Sequence, residues 1–136
     1  MFLRRIREGA YKILAIGEGN DCQVEVFLKE LEEENPKESA KINARLDYVK
    51  DHGPPSNIQQ CRPLKKWGGF EFKAGSVRIT FFWDKGRMII CSMGFLKDGK
   101  KTFKPYLEKL KSDRQAYFAE KEREEKENES RKQQRA

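Results

Sequence analysis

The chain has 136 residues, of which 38% are charged and 37% hydrophobic, and its formal net charge is +7. This length fits one domain whose core buries roughly two thirds of the unfolded surface. No apolar run approaches the ~20 residues that span a bilayer, and the opening MFLRRIREGAYK lacks the apolar stretch and cleavage site of a signal peptide.

The cysteine pattern argues against a disulfide framework and against a zinc site. Cys22, Cys61 and Cys91 are widely spaced and form no CxxC pair, and His52 is the single histidine. We therefore expect packing thiols, no metal or other cofactor, and a cytoplasmic location, since free thiols persist in a reducing compartment.

The first half of the chain predicts one strand and two helices. YKILAIG (11–17) is a short apolar run that ends in turn residues, so it predicts a strand. A helical apolar stripe follows at Val24, Phe27, Leu28 and Leu31. NPKE (35–38) predicts a second helix, with Asn35 as its cap and the Glu38 side chain reaching back to that cap. Its inner face is Ile42, Leu46 and Val49, and DHGPP (51–55) ends it.

The second half predicts an antiparallel meander. CRPLKKW (61–67) is typical of an edge segment, because Pro63 cannot donate to a strand ladder. GGFEFK and VRITFFW then alternate around the turn AGSV, and a four-residue loop places Lys73 opposite Arg78 and Phe72 opposite Ile79. RMIICSMGFL (87–96) predicts a central strand that is buried on both faces. In this register one face is charged or polar, with Glu71, Lys73, Arg78 and Thr80.

A long last helix completes the prediction. Thr102 is a candidate cap, and the apolar stripe comprises Phe103, Tyr106, Leu107, Leu110, Tyr117 and Phe118. After Phe118 the chain has no hydrophobic residue except Ala119 and Ala136. We therefore expect a domain over 1–118 and a charged tail over 119–136, helical or disordered, in which the helix overruns and frays. The predicted order is β-α-α-β-β-β-α. This is an α+β fold in which the N-terminal helical pair covers one sheet face and the last helix flanks the other.

The positive charge is concentrated in one block. Residues 62–111 contain 13 basic and 4 acidic residues, whereas residues 1–61 contain 9 and 11. Such asymmetry favours a polyanionic partner, most often nucleic acid. The alternative is a charge that serves only solubility.

The charged sheet face and the loop after the central strand are candidates for binding phosphate. Arginine matches two phosphate oxygens and lysine supplies a mobile charge. Tyr106 could stack on a base. Two alternatives stay open: Lys73 and Arg78 form a solvated face paired with Glu71, and KDGKK is only a charged turn. The aromatic residues Trp67, Phe81, Phe82 and Trp83 favour packing over base stacking.

Residues 64–110 resemble the core of the RelE/ParE superfamily of toxins from type II toxin–antitoxin systems, and most closely its HigB-like, phage-derived branch. The resemblance rests on an ordered set of features: Leu64, Gly69, Phe70-Glu71-Phe72-Lys73, Val77-Arg78-Ile79, Gly94-Phe95, Lys97, Lys100-Lys101-Thr102 and Pro105.

The resemblance implies a RelE-like fold and a ribosome-dependent mRNA endoribonuclease that inhibits translation, with mRNA and the ribosome as partners and a cognate helix-turn-helix antitoxin as inhibitor. The catalytic candidates are Arg78 for charge stabilisation, Lys73 and Lys97 assisting, Glu71 or a lysine of lowered pKa as base, and Tyr106. The RNA-binding candidates are Arg62, Lys65, Lys66, Lys100, Lys101 and Lys104.

Two alternatives belong to other classes: a ParE-like gyrase poison, and a nucleic-acid-binding module that cuts nothing. The nuclease hypothesis requires the side chains of residues 73, 78 and 97–101 to converge on one cationic hollow. Side chains scattered over different surfaces, or an Arg78 locked inward by an internal carboxylate, would leave the nuclease hypothesis without a physical basis.

Overall fold

The computed structural model of the protein describes residues 1–99 and 104–135. Within them the chain is a mixed α+β protein, with a seven-stranded sheet between a pair of helices and one long C-terminal helix. The elements are β1 Phe2–Glu8, β2 Lys12–Glu18, β3 Asp21–Cys22, α1 Gln23–Glu34, α2 Pro36–His52, β4 Cys61–Leu64, a 3-10 turn Lys65–Trp67, β5 Gly69–Ala74, β6 Val77–Asp84, β7 Met88–Leu96 and α3 Lys104–Arg135.

The predicted antiparallel meander is confirmed for β4 to β7, but the sheet as a whole is mixed. Its order is β1-β2-β7-β6-β5-β4, and β2 pairs parallel to β7. The prediction of an all-antiparallel sheet was wrong because the chain crosses one sheet face through α1 and α2 before it returns, which permits parallel pairing. Strands β1 and β3 were not predicted, since β1 (FLRRIRE) is dominated by arginines and β3 has only two residues.

The start of α2 is partly as predicted. The Asn35 side chain accepts a hydrogen bond from Glu38 N at 3.3 Å, which confirms the cap. The Glu38 carboxylate does not reach back to that cap. Its Oε2 accepts hydrogen bonds from Ser76 N at 2.9 Å and Ser76 Oγ at 3.2 Å, because the β5–β6 turn lies beside the first turn of α2.

The predicted register of the β5–β6 hairpin is confirmed. Lys73 pairs with Arg78 and Phe72 with Ile79, but the connection is a two-residue turn, Gly75–Ser76, rather than the expected four-residue loop. Gly75 has φ 58°, a left-handed conformation that glycine adopts without strain. The apolar side of this hairpin packs against α1 and α2 in the larger core, whose members include Val24, Ile42, Leu46, Val49, Phe72, Ile79 and Phe81.

The opposite face of the sheet supports α3. Leu110 and Tyr117 pack on Phe82 and Ile90 in a smaller core. Asp84 anchors the helix further along: its Oδ2 accepts hydrogen bonds from Tyr117 Oη at 2.6 Å and Lys121 Nζ at 2.8 Å. The helix then continues through Arg135, beyond the predicted domain boundary at residue 118.

Some predictions fall on residues that lie outside the described ranges: the RNA-binding candidates Lys100 and Lys101, the cap Thr102 and the apolar Phe103. Among the helices of the described residues, none combines the length and the apolar character needed to cross a membrane.

Candidate nucleic-acid interface

Strand pairing brings basic side chains together on the α3 side of the sheet. Arg62 of β4 pairs with Glu71 of β5, and Lys73 of β5 pairs with Arg78 of β6. Directly paired residues point to the same face, because successive side chains along a strand alternate. The hydrogen bond from Lys97 N to Ser76 O, 2.7 Å long, brings the end of β7 beside this hairpin. We call Arg62, Lys73, Arg78 and Lys97 the cationic cluster.

A buried carboxylate lies within the cationic cluster. Glu71 is 0% exposed, and its Oε1 lies 3.7 Å from Arg62 Nη2 and 3.6 Å from Arg78 Nε. Two guanidinium groups therefore lie beside this carboxylate, and solvent does not reach it. The geometry therefore counts against Glu71 as a base that contacts substrate, and it favours the alternative in which Glu71 pairs with the basic side chains.

Arg78 is also held mainly by internal contacts. Its side chain is 11% exposed, and its Nη1 donates to Gly75 O at 2.7 Å and to Val77 O at 2.8 Å. Burial lowers the pKa of Arg78, an effect that the charge of Glu71 opposes. Arginine nevertheless stays protonated in proteins. The condition that counts against the nuclease hypothesis is thus met in large part for Arg78, since its guanidinium faces an internal carboxylate.

Lys73 carries the strongest evidence that the cationic cluster converges. Burial, together with the positive charges of Arg78, Arg62 and Lys97, holds the pKa of Lys73 below its ordinary value of 10.5. Glu71 opposes that change. A lysine whose pKa is lowered in this way is a better proton acceptor near neutral pH than an ordinary one.

Tyr106 lies over the same face. Its ring stacks on Phe95 with centroids 4.3 Å apart and planes at 15°. Phe95 is the cross-strand partner of Arg78, so this stack stands next to the cationic cluster. The sequence indicated Tyr106, but the role of Phe95 in holding it was missed, because the contact joins a strand to a helix.

Among the described residues, the remaining RNA-binding candidates are Lys65, Lys66 and Lys104, which lie in a second region. Lys65 and Lys66 are exposed on the 3-10 turn. Lys66 and Lys104 line a groove of about 410 Å³ together with Trp67. We call this groove the tryptophan groove. Other basic residues of the predicted block lie elsewhere, such as Lys85 and Arg87 between β6 and β7.

Other chemistry has little support in the described part of the chain. All three cysteines are buried and free, and burial raises the pKa of the Cys61 thiol to about 11. Among residues 1–99 and 104–135, no three His, Cys, Asp or Glu side chains are grouped closely enough to hold a metal ion. His52 ends α2, where its ring contacts Tyr48.

The fold and the site together define a small α+β protein with a cationic sheet face and a long C-terminal helix. The chain belongs to the family described as phage derived protein Gp49-like (DUF891), whose family model matches residues 28–123. This is a RelE/toxin-like family, and its members are commonly toxins of toxin–antitoxin systems. No curated protein is similar enough to the chain to count as a match.

Proposed function

We propose that this protein is the toxin of a type II toxin–antitoxin system, of the HigB-like branch, and that it cleaves mRNA on the ribosome. The supporting observation is the cationic cluster, in which Arg62, Lys73 and Lys97 surround a buried ion pair on one sheet face. Clustered cations of this kind suit a ribose-phosphate backbone. Family membership supports the toxin role.

In the proposed reaction a ribose 2′-oxygen attacks the adjacent phosphorus, the bond from phosphorus to the 5′-oxygen breaks, and a cyclic phosphate forms. The attacking hydroxyl loses a proton and the leaving oxygen gains one. We assign the base to Lys73 because its pKa is lowered and Glu71 is buried. Tyr106 is the candidate that stacks on a base beside the scissile bond or donates the proton.

The other members of the cationic cluster stabilise charge. Arg62 and Lys97 are partly exposed, so they are placed to contact the phosphate as negative charge builds on its oxygens. Arg78 contributes through its positive field and by fixing the β5–β6 turn. Glu71 aligns Arg62 and Arg78 as a positioning residue. The ribosome supplies much of the orientation of the mRNA.

A toxin of this kind needs an inhibitor in its own cell. We therefore propose a cognate antitoxin, of the helix-turn-helix type that the sequence resemblance implies, as the protein partner. A small neighbouring gene with a helix-turn-helix pattern would support this assignment.

The test is induced expression in a bacterium, with growth and transcript 5′ ends followed. We expect the wild-type chain to arrest growth and to create new 5′ ends in translated mRNA. Lys73→Arg keeps the charge but cannot act as base at neutral pH, so cleavage should fall by roughly 10²–10⁴-fold. Arg78→Ala should also reduce cleavage, with part of its effect arising from a loosened turn.

Lys85→Gln is the matched control, since Lys85 is an exposed lysine in the β6–β7 turn, away from the cationic cluster. It should cleave like wild type. Undiminished cleavage by Lys73→Arg would overturn the assignment of the base. Growth arrest with intact transcripts and impaired gyrase supercoiling would instead establish the gyrase-poison alternative.

One observation favours a second candidate, the module that binds nucleic acid without cutting it. The single carboxylate on the charged face, Glu71, is buried and paired with arginines, which leaves a lysine as the base. Salt-dependent RNA binding with no cleavage on translating ribosomes would establish this candidate.

A further inference from the structure

The tryptophan groove lies between the 3-10 turn and the first turns of α3. Its volume of about 410 Å³ falls within the range of roughly 300–1,000 Å³ typical of ligand sites. Trp67 and three lysines line it, namely Lys66, Lys104 and Lys111. Glu108 is the acidic residue of the lining, and its Oε1 lies 4.0 Å from Lys104 Nζ. The lining therefore carries net positive charge.

The Trp67 side chain is partly buried and partly exposed to solvent. It packs against the smaller core, which contains Leu64 and Leu110. Gly69, two residues later, is buried tightly: an added Cβ would meet Phe81 O and the Leu110 side chain. Lys66 Nζ lies over the ring, 5.7 Å from its centroid. Because a lysine side chain is flexible, a planar group that stacks on the ring can displace it.

Both walls of the tryptophan groove begin beside the cationic cluster. Arg62 is in β4, and the 3-10 turn carrying Lys66 and Trp67 follows that strand directly. On the other wall, Lys104 and Tyr106 share the first turn of α3. The cationic cluster and the tryptophan groove are thus connected through β4 on one side and through the first turn of α3 on the other.

We propose that the tryptophan groove is a second RNA subsite, which takes a nucleotide flanking the one at the cationic cluster. Its base stacks on Trp67 while Lys66, Lys104 and Lys111 contact phosphate oxygens. The choice of RNA as ligand rests on the proposed function. The chemistry itself, an aromatic platform beside lysines, is that of sequence-tolerant binding to single strands.

Intrinsic fluorescence tests the subsite. The chain has two tryptophans, and Trp83 contacts Tyr11 and Phe81 on the opposite sheet face. Trp83→Phe therefore leaves Trp67 as the sole tryptophan reporter. Titration of this variant with a short oligouridylate should quench its emission. Trp67→Ala should weaken binding of a labelled oligouridylate by roughly five- to hundredfold, the loss expected for one stacked base.

The salt dependence tests the lysines. Each lysine that contacts a phosphate contributes about 0.7 to the slope of log affinity against log salt for single strands. Lys111→Gln should lower that slope by about this amount, whereas Lys126→Gln, an exposed lysine far along the same helix, should not change it.

The outcomes separate this proposal from the proposed function. The subsite proposal is overturned if oligouridylate does not bind, or if it binds without quenching the fluorescence of Trp67. This holds even if the protein cleaves mRNA on ribosomes. Quenching by polyglutamate equal to that by RNA overturns it in favour of an acidic protein partner. If RNA quenches the fluorescence of Trp67 but the protein cleaves no transcript, the subsite is supported and the nuclease function is rejected.

Discussion

Glu71 shows why a residue's neighbours decide its role. The alternating pattern of GFEFK places it on the charged face, where a carboxylate could act as a base. In the folded chain it is fully buried and lies between Arg62 and Arg78. A buried ion pair of this type fixes geometry more than it adds stability, and it becomes costly when one partner is removed.

Glu71→Gln should therefore destabilise the protein. The change leaves Arg78, a largely buried cation, without a compensating charge, so we expect the free energy of unfolding to fall by about 3 kcal/mol. Urea denaturation measures this change in the free energy of unfolding. Glu33→Gln, at an exposed position on α1, should stay within about 0.5 kcal/mol of wild type. Equal stability of the two variants would mean that Glu71 does not hold the arginines.

Sequence alone could predict which residues share the charged face, because strand alternation fixes it. It could not predict how deeply each would be buried. Lys73 and Arg78 occupy paired positions. The guanidinium of Arg78 nevertheless donates hydrogen bonds to the carbonyl oxygens of Gly75 and Val77 and is largely buried. That difference depends on the neighbouring strand and on the turn, and neither leaves a local signal.

At the scale of elements, a helix holds the turn of the charged hairpin. The Glu38 carboxylate of α2 accepts hydrogen bonds from the backbone and side chain of Ser76, and these bonds, with a contribution from Lys41, lower its pKa. Because the folded state favours the anion, this contact contributes full stability above the ordinary pKa of 4.5. The contribution is lost as the pH falls through the lowered, folded-state pKa.

Glu38→Gln should reproduce the protonated state. We expect the variant to be less stable than wild type at neutral pH, and the difference to shrink as the pH falls below 4.5. Unfolding measured across this range tests the sign. Glu34→Gln, at an exposed site near the end of α1, provides the control. A difference that persists unchanged into acid would show that charge at Glu38 is irrelevant.

The elements with strong local signals were predictable. Asn35 and Pro36 mark the start of α2, and apolar spacing marks α1 and the buried side of α3. The parallel pairing of β2 with β7 was not predictable, since no local pattern records which strand a distant segment joins. Strand β1 was not predicted because its arginines obscure the alternation of apolar and polar residues that is typical of a strand.

For the whole molecule, the relevant question is where the folding unit ends. The sequence predicts a boundary after residue 118, where hydrophobic residues end. Lys121 nevertheless contacts Asp84, whose side chain is 4% exposed. Residues 122–134 of α3 are exposed, and ion pairs join neighbouring turns there, such as that of Lys126 with Glu122. We therefore expect the folding unit to extend through Lys121.

Two truncations distinguish these boundaries. A chain ending at residue 126 should keep wild-type stability, because only exposed helix is removed. A chain ending at residue 118 should lose about 2 kcal/mol, the value of a hydrogen bond to a charged group. Thermal and urea unfolding measure the stability of both truncated chains. Lys121→Gln in the full chain should lose a similar amount. If the two truncated chains are equally stable, the boundary lies at residue 118.

The parallel pairing at the centre of the sheet also bears on synthesis. Residues 12–15 pair with residues 88–91, so the middle of the sheet cannot close until about two thirds of the polypeptide has left the ribosome. Pairing between such distant segments folds slowly, since the long intervening loop must close first. A nascent chain halted before β7 lacks the central partner of β2, which can then pair only with β1 and β3. It also lacks the β6–β7 pair, in which Phe95 lies opposite Arg78. The candidate nucleic-acid interface is therefore completed only after β7 has been synthesised.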